Sequence, residues 1–276
     1  MQTLTMLLGL IDLRAFLMVA LIFIPLERLV ALRHDQSIFR AKWGYDLIYT
    51  FANKILVALG LAVVVILIGG ALSALLPDGV PVWVAALPLL VQVLAAIVIA
   101  DIGFYAAHRL FHTVPWLWRF HAVHHSIEEL DWLAAARVHP IDQIITKGTS
   151  ILPLFVLGIS SEALAVYGVI YLFHSHLLHA NVHIPFGPLR WLVASPEFHH
   201  WHHANQKEAY DKNFSGQLVL LDILFRTAHM PKGERPTRYG VDDPIPGNYL
   251  LDLAYPFKRP APAEPAAEPL SESSSR

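Results

Sequence analysis

Hydrophobic positions run through this chain in long blocks instead of the alternation of strands, and the blocks outline its architecture. Residues 4–26 form the first, interrupted by Asp12 and Arg14. No A-x-A-like cleavage site follows and the flank reads ERLVALRH, so a membrane span is expected, not a cleaved leader. Residues 47–76 carry LIYTFANKILVALGLAVVVILIGGALSALL, longer than the ~20 apolar residues that cross a bilayer. A short LPDGVP turn at 76–81 leads into a third block at 82–103, and so brief a link predicts an antiparallel hairpin of spans.

The apolar stretch 140–178 reads differently. Pro140 suits a helix start, and ISSE at 159–162 breaks the run. There Ser160 or Ser161 can cap a new helix with Glu162 in its first turn. A helical hairpin turning at 158–162 is expected, because it returns the histidines on both flanks to one side. Beyond residue 204 the pattern turns mixed and polar, with YDKNFSGQLVLLDILFRT its most ordered part. The ending PAPAEPAAEPLSESSSR is too poor in large apolar residues to bury a core, so 260–276 is expected to be disordered.

Composition agrees with a membrane protein. Of 276 residues, 55% are hydrophobic and only 15% charged. The formal net charge of −2 and the lack of a basic stripe exclude nucleic acid as an expected partner. Cysteine is absent, which removes disulfides, cysteine-zinc sites and thiol nucleophiles. Arg28, Arg33, Arg40 and Lys42 lie between the first two spans, whereas the 76–81 turn has no basic residue. The first loop is therefore expected to be cytoplasmic and the turn external. The third span then delivers its final residues to the cytoplasm.

Chemistry concentrates in the histidines. Fourteen of sixteen fall between Asp101 and His203, and eleven of these sit in DIGFYAAHRLFH (101–112), HAVHH (121–125), HANVH (179–183) and HHWHH (199–203). Asp101, Tyr105, His108 and His112 share one stripe of a helix. His121, His124, His125 and His199, His202, His203 repeat H-x-x-H-H, which on a helix aims three imidazoles at one point. A single histidine on an apolar helix is ordinarily a satisfied core residue. Four clusters at ligand spacing are not, and eight or more imidazoles exceed what one ion can use, so a two-metal site is expected.

The motifs H-R-x-x-H, H-x-x-H-H-S, the late H-x-x-H-H and the closing LLDILFRT resemble the fatty acid hydroxylase/sterol desaturase superfamily over residues 95–230. The run from His179 through GPLRWLVASPEFHHWHH to YDKN is similar to the alkylglycerol monooxygenase branch. The closing segment departs from the usual WDxxFGT, with Leu221-Asp222 and Phe225-Arg226-Thr227.

The resemblance implies an all-α integral membrane bundle, about three spans plus a helical hairpin, with a cytosolic histidine-rich di-metal cap. It implies two iron ions held by His108, His112, His121, His124, His125, His179, His199, His202 and His203, with His183 as a possible further ligand. Zinc could replace iron in purified protein, since the Irving–Williams order does not exclude it. Asp101, His139, Asp142, Glu197 and Asp222 are candidates to orient the ligands from behind. Glu128 and Glu129 are expected in solvent. His174, His176 and His200 face away from the ligand positions, and His34 and His229 are expected to be structural or solvated.

The expected organisation is membrane helices over 1–94, a catalytic unit over 95–230, a C-terminal extension over 231–259 and the tail. The implied activity is O2-dependent hydroxylation of a fatty acyl, alkyl or sterol-like lipid drawn from the bilayer, with desaturation as the alternative on the same site. No flavin, haem or iron–sulfur motif is present, so electrons must come from a separate reductase, cytochrome or ferredoxin. A metal transporter would place its ligands at mid-bilayer depth along a path. Here the ligands gather at helix ends. A zinc hydrolase would need fewer histidines. The lack of a dilysine or KDEL ending points to a bacterial inner membrane.

Overall fold

The computed structural model describes residues 13–258. The beginning of the first apolar block and the 260–276 tail lie outside the described residues. Ten helices organise the rest: α1 Leu13–Leu29, α2 Trp43–Ser73, α3 Gly79–Ala85, α4 Leu89–Thr113, α5 Pro115–His125, α6 Pro140–Val156, α7 Ser161–His179, α8 Pro196–His202, α9 Leu220–Leu224 and α10 Tyr249–Ala254. A π-helical turn at Val65–Gly69 interrupts α2. Among the described residues there are no strands, only three isolated bridge pairs.

Two of these helices, α2 and α4, are long and apolar enough to cross a membrane. Only 11% of the most apolar window of α2 is buried, unlike the core helix of a soluble protein. Leu59, Val63, Ile66 and Leu67 of α2 and Leu90, Leu94 and Ile102 of α4 face outward. At 1.5 Å per residue, the 25 residues of α4 extend about 37 Å, more than the ~30 Å hydrocarbon core.

The third block does not form the single span expected over 82–103. Pro88 has no N–H and would clash within a helix, so α3 ends at Ala85 and Pro88 caps the start of α4. The Gln92 amide closes the break by donating to the carbonyls of Ala85 at 3.2 Å and Leu87 at 2.8 Å. Released from that constraint, α4 starts later and runs on to Thr113. The outward-facing apolar segment and the histidine pair thus belong to one continuous helix.

The 140–178 stretch doubles back between α6 and α7. Ser160 Oγ accepts from the amide of Ala163 at 3.3 Å, the cap that the ISSE break suggests. Gly158 has φ +80°, and a Cβ there would lie 2.7 Å from Pro81. The tip of the hairpin is therefore held against α3.

Helix α4 is the axis of the molecule, packed along α5, α6 and α7. Val93, Ala96 and Ala100 of α4 form one core with Leu154 of α6 and Ala163 and Tyr167 of α7. The closest approach is at Gly103, where a Cβ would meet the Thr149 carbonyl oxygen at 2.2 Å. In a second core, Val19 and Phe23 of α1 pack on Trp132, Leu133, Ala180 and Val182. Helix α6 packs on both α2 and α4, so it is the wall between the two long helices.

Candidate metal centre

Four elements bring histidines to the inner end of this bundle. Helix α4 carries His108 and His112 one turn apart. Helix α5 starts on Pro115, a residue whose fixed φ suits the first helical position, and ends in His121, His124 and His125. His179 is the last residue of α7. Ser195 Oγ accepts from the Phe198 amide at 3.2 Å and caps α8, which with the residue after it presents His199, His202 and His203.

All nine imidazoles meet, in two groups. His108, His112, His121, His125 and His202 form the first; His124, His179, His199 and His203 form the second. Within each group the candidate ligand atoms lie within 4.8 Å of one another. Adjacent residues part company: His124 and His125 belong to different groups, and so do His202 and His203.

The hydrogen bonds behind the rings fix their tautomers. The Nδ1–H groups of His108, His124, His179 and His202 donate to the carbonyls of Phe214 (2.6 Å), Arg137 (2.9 Å), Ser175 (2.8 Å) and Lys212 (2.8 Å). His121 Nδ1 donates to the Asp142 carboxylate at 2.7 Å. Each of these rings, if neutral, keeps a bare lone pair on Nε2. Those lone pairs face one another, at 3.0 Å between His108 and His121 and 3.2 Å between His124 and His179.

Two acceptors cannot make a hydrogen bond, so such a pair needs a cation between its members. Two nitrogens about 2.1 Å from one ion and at right angles stand about 3.0 Å apart, the spacing found here. His112 Nε2 adds a buried polar atom with no protein partner. The residues fit transition-metal ions.

Burial keeps the rings neutral, as ligation requires. It pushes His121 down to about 3. His124 falls to about 4, by burial first and then by its neighbour His121. His125, His202 and His203 lie well below the ordinary histidine value, by burial and by neighbouring imidazoles.

A cavity of ≈ 380 Å³ reaches this cluster, touching His108, His121, His124, His179 and His199. A second, more apolar cavity of ≈ 770 Å³ lies between α2, α6 and α7. The two share Ala58, Leu61, Lys147, Tyr171 and Leu172. The space between α2, α6 and α7 thus adjoins the cavity that reaches the imidazoles.

The structure sorts the remaining sequence candidates. His183 is exposed, outside both groups, and bonded to Arg235, because α7 stops at His179 and the chain turns away. Only Asp142, among the expected orienting residues, touches a clustered ring. The Asp101 carboxylate accepts from the amides of Gly216, Gln217 and Leu218. Asp222 accepts from the amides of Phe214 and Ser215, both at 2.9 Å. These two hold the loop whose Phe214 carbonyl receives His108, one bond removed from the cluster.

Glu197 faces outward and pairs with Arg190 at 3.4 Å. His139 caps α6, accepting from the Ile141 amide at 3.1 Å. His174 and His176 donate to the carbonyls of Ala194 and Trp132. His200 donates through Nε2 to the Ala180 carbonyl at 3.1 Å.

Sequence reading missed a buried ion network beside the site. Arg40 donates to Asp46 at 2.6 Å and Asp131 at 2.7 Å, while Arg137 Nε donates to Asp46 at 2.5 Å. The same Arg137 offers its carbonyl to His124. The only signal was a charge pattern, and it served to orient the loop.

Comparison with known proteins adds an independent line. Residues 93–227 match the fatty acid hydroxylase family. The ornithine lipid hydroxylase of Rhizobium tropici is 35% identical over 177 residues, covering 64% of this chain and 54% of that protein. The alkylglycerol monooxygenase of Homo sapiens is 32% identical over 145 residues, 52% of this chain and 32% of that protein. A very-long-chain aldehyde decarbonylase of Oryza sativa subsp. indica is 30% identical over 141 residues, 49% of this chain and 51% of that protein. The chain spans about a third to a half of the length of these relatives. No solved structure matches it.

Proposed function

From the premise that residues 93–227 belong to the fatty acid hydroxylase family, we propose that this chain is a membrane-bound di-iron oxygenase that uses O2 and external electrons to hydroxylate a lipid. The observation that carries the reading is the meeting of two groups of buried imidazoles with an apolar cavity between lipid-facing helices. The likeness to an ornithine lipid hydroxylase and an alkylglycerol monooxygenase supports a lipid substrate.

His108, His112, His121, His125 and His202 would hold one ion, and His124, His179, His199 and His203 the other. Bound iron supplies the oxidising chemistry that no side chain offers. The chain's own groups do the rest. Asp142 and the four carbonyls retain the Nδ1 protons, so every Nε2 lone pair they control stays aimed inward. The walls from α2, α6 and α7 hold a hydrocarbon chain and keep bulk water from the imidazoles.

Residues 95–230 form the catalytic unit of this reading, with 1–94 as anchor and 231–259 as a C-terminal extension. The imidazoles lie on the cytoplasmic side of a multi-pass protein of a bacterial inner membrane. There a separate reductase, cytochrome or ferredoxin can deliver electrons.

Three measurements test the proposal. Protein expressed with ample iron should carry two metal ions per chain by elemental analysis; one or none would sink the two-metal site. Cells supplied with 18O2 should place the label in the lipid product. Label arriving solely from water would argue for hydrolysis, and a new double bond without oxygen would change the outcome to desaturation. Cysteines at Glu128 and Lys207, both exposed, should label together from the cytoplasmic side of sealed vesicles.

A further inference from the structure

Helix α1 turns an apolar stripe inward through Val19 and Phe23, and the stripe ends in a buried carboxylate, Glu27. Burying such a group is costly unless it accepts hydrogen bonds. Glu27 Oε1 accepts two, from the Trp132 amide at 2.7 Å and the Asn181 amide at 2.9 Å. One side chain of α1 thus ties two segments that are far apart in the chain.

The ties continue past Glu27. The Arg33 amide donates to Asn181 Oδ1, and Asn181 Nδ2 donates to the Arg33 carbonyl, both at 2.9 Å. The Leu32 amide donates to the Asn181 carbonyl at 3.2 Å, and the His183 amide to the Val30 carbonyl at 2.7 Å. On the other segment, Gln36 Nε2 donates to the Leu130 carbonyl at 2.8 Å, and Arg40 holds Asp131.

Both segments lead to the second imidazole group. Asn181 follows closely on His179, the last residue of α7. Trp132 opens the short helical turn Trp132–Ala136, and the next residue, Arg137, gives its carbonyl to His124. The Trp132 carbonyl also receives His176 at 2.8 Å, one turn before His179. The first group leans elsewhere. Its fixed rings rest on Phe214, Lys212 and Asp142, all within the stretch 93–227 matched to the family. Residues 27–40 lie outside that stretch.

We propose that residues 27–40 position the second imidazole group, with Glu27 as the positioning residue that joins the chain segments behind His124 and His179. The first group is independent of them. The inference rests on reading the two groups as a two-metal site, and it makes one ion depend on a segment beyond the family stretch.

The test is a chelator titration of the full-length, iron-loaded protein in detergent, followed by elemental analysis. Glu27→Leu should weaken the second ion by at least about fivefold, the lower end of coupling between linked sites, and leave the first unchanged. Glu27→Gln should keep the second ion, since an amide oxygen can accept from both backbone amides. A role confined to stability would lower the unfolding temperature and shift the two ions together or not at all. Either result overturns the proposal, as does a loss in the Gln variant equal to that in the Leu variant. Release of both ions in a single step by wild type would overturn it too.

A second measurement needs no variant. Coupling is reciprocal, so stripping the second ion from wild type should speed hydrogen exchange at Leu32 and Arg33, whose amides bond Asn181 and no imidazole. Exchange at Gly216, Gln217 and Leu218, held by Asp101, should stay as it was. Unchanged exchange at Leu32 and Arg33 would overturn the proposal even if Glu27→Leu does not fold.

The two-metal reading fails separately. In that case wild type itself carries one ion or none. If only the positioning inference fails, wild type releases two ions in two steps and Glu27→Leu releases them in the same way.

Discussion

The two imidazole groups look alike in the sequence and differ in how firmly they are held. In the first, three of five rings have a fixed tautomer, and one of those is fixed by the Asp142 carboxylate. In the second, His124 and His179 rest on neutral backbone carbonyls. His199 and His203 have buried Nδ1 atoms without a partner. The first group receives negative charge from behind one of its rings; the second has only neutral carbonyls behind two of its four rings. Pre-oriented, charge-backed ligands bind metal more tightly, so the first ion should be the resident one and the second the more easily removed.

The largest expected effect comes from deleting ligands. Replacing His202 or His199 by alanine should each remove about one ion per chain by elemental analysis. Loss of an outer partner alone costs roughly 10–100-fold in affinity or activity, so loss of a ligand should cut product by at least about 100-fold. Retention of both ions in either variant would break the two-group division.

Asp142→Ala comes next. It should weaken metal at the first group by roughly 10–100-fold in a chelator titration and leave the second group's affinity unchanged. Asp142→Asn, which still accepts from His121, should recover part of the loss. In wild type the same titration should show two steps. A single step would abolish the contrast drawn above.

Gly103→Ala is a smaller and more indirect lever. Its Cβ would press on the Thr149 carbonyl and push α4 from α6, at a cost of about 1–3 kcal/mol read by thermal unfolding in detergent. Because α4 bears His108 and His112 and no member of the second group, metal should be weakened at the first group only. The smallest effect belongs to His200→Ala. That ring bonds the Ala180 carbonyl and Tyr239 and lies outside both groups, so metal content should remain at wild-type level and stability should fall by about 1 kcal/mol.

What could be read from the sequence follows the range of each signal. Helix periodicity acts over a few residues, so H-x-x-H-H and H-R-x-x-H announced imidazoles that gather, and ISSE announced the turn between α6 and α7. Pro88 carried an equally local signal, and it explains why α4 starts at Leu89 and not at residue 82. The backbone carbonyls of Phe214, Arg137, Ser175 and Lys212 left no trace, because every residue has one. Arg40 meets Asp131 and Asp46 meets Arg137 across 91 positions each, and no spacing rule reaches so far. Asp101 was singled out for sharing a stripe with His108; in the structure it organises the loop at 216–218, a role that only the fold reveals.

One consequence follows from the split between neighbours. His124 and His125 are joined by a peptide bond yet serve different groups, and His202 and His203 repeat the arrangement. Consecutive Cα atoms lie 3.8 Å apart whatever the surrounding packing does. The two groups are therefore tied to each other through a single peptide bond at two places, so neither can be carried far without the other. Substitutions that reshape the cavity between α2, α6 and α7 would leave both of those ties in place.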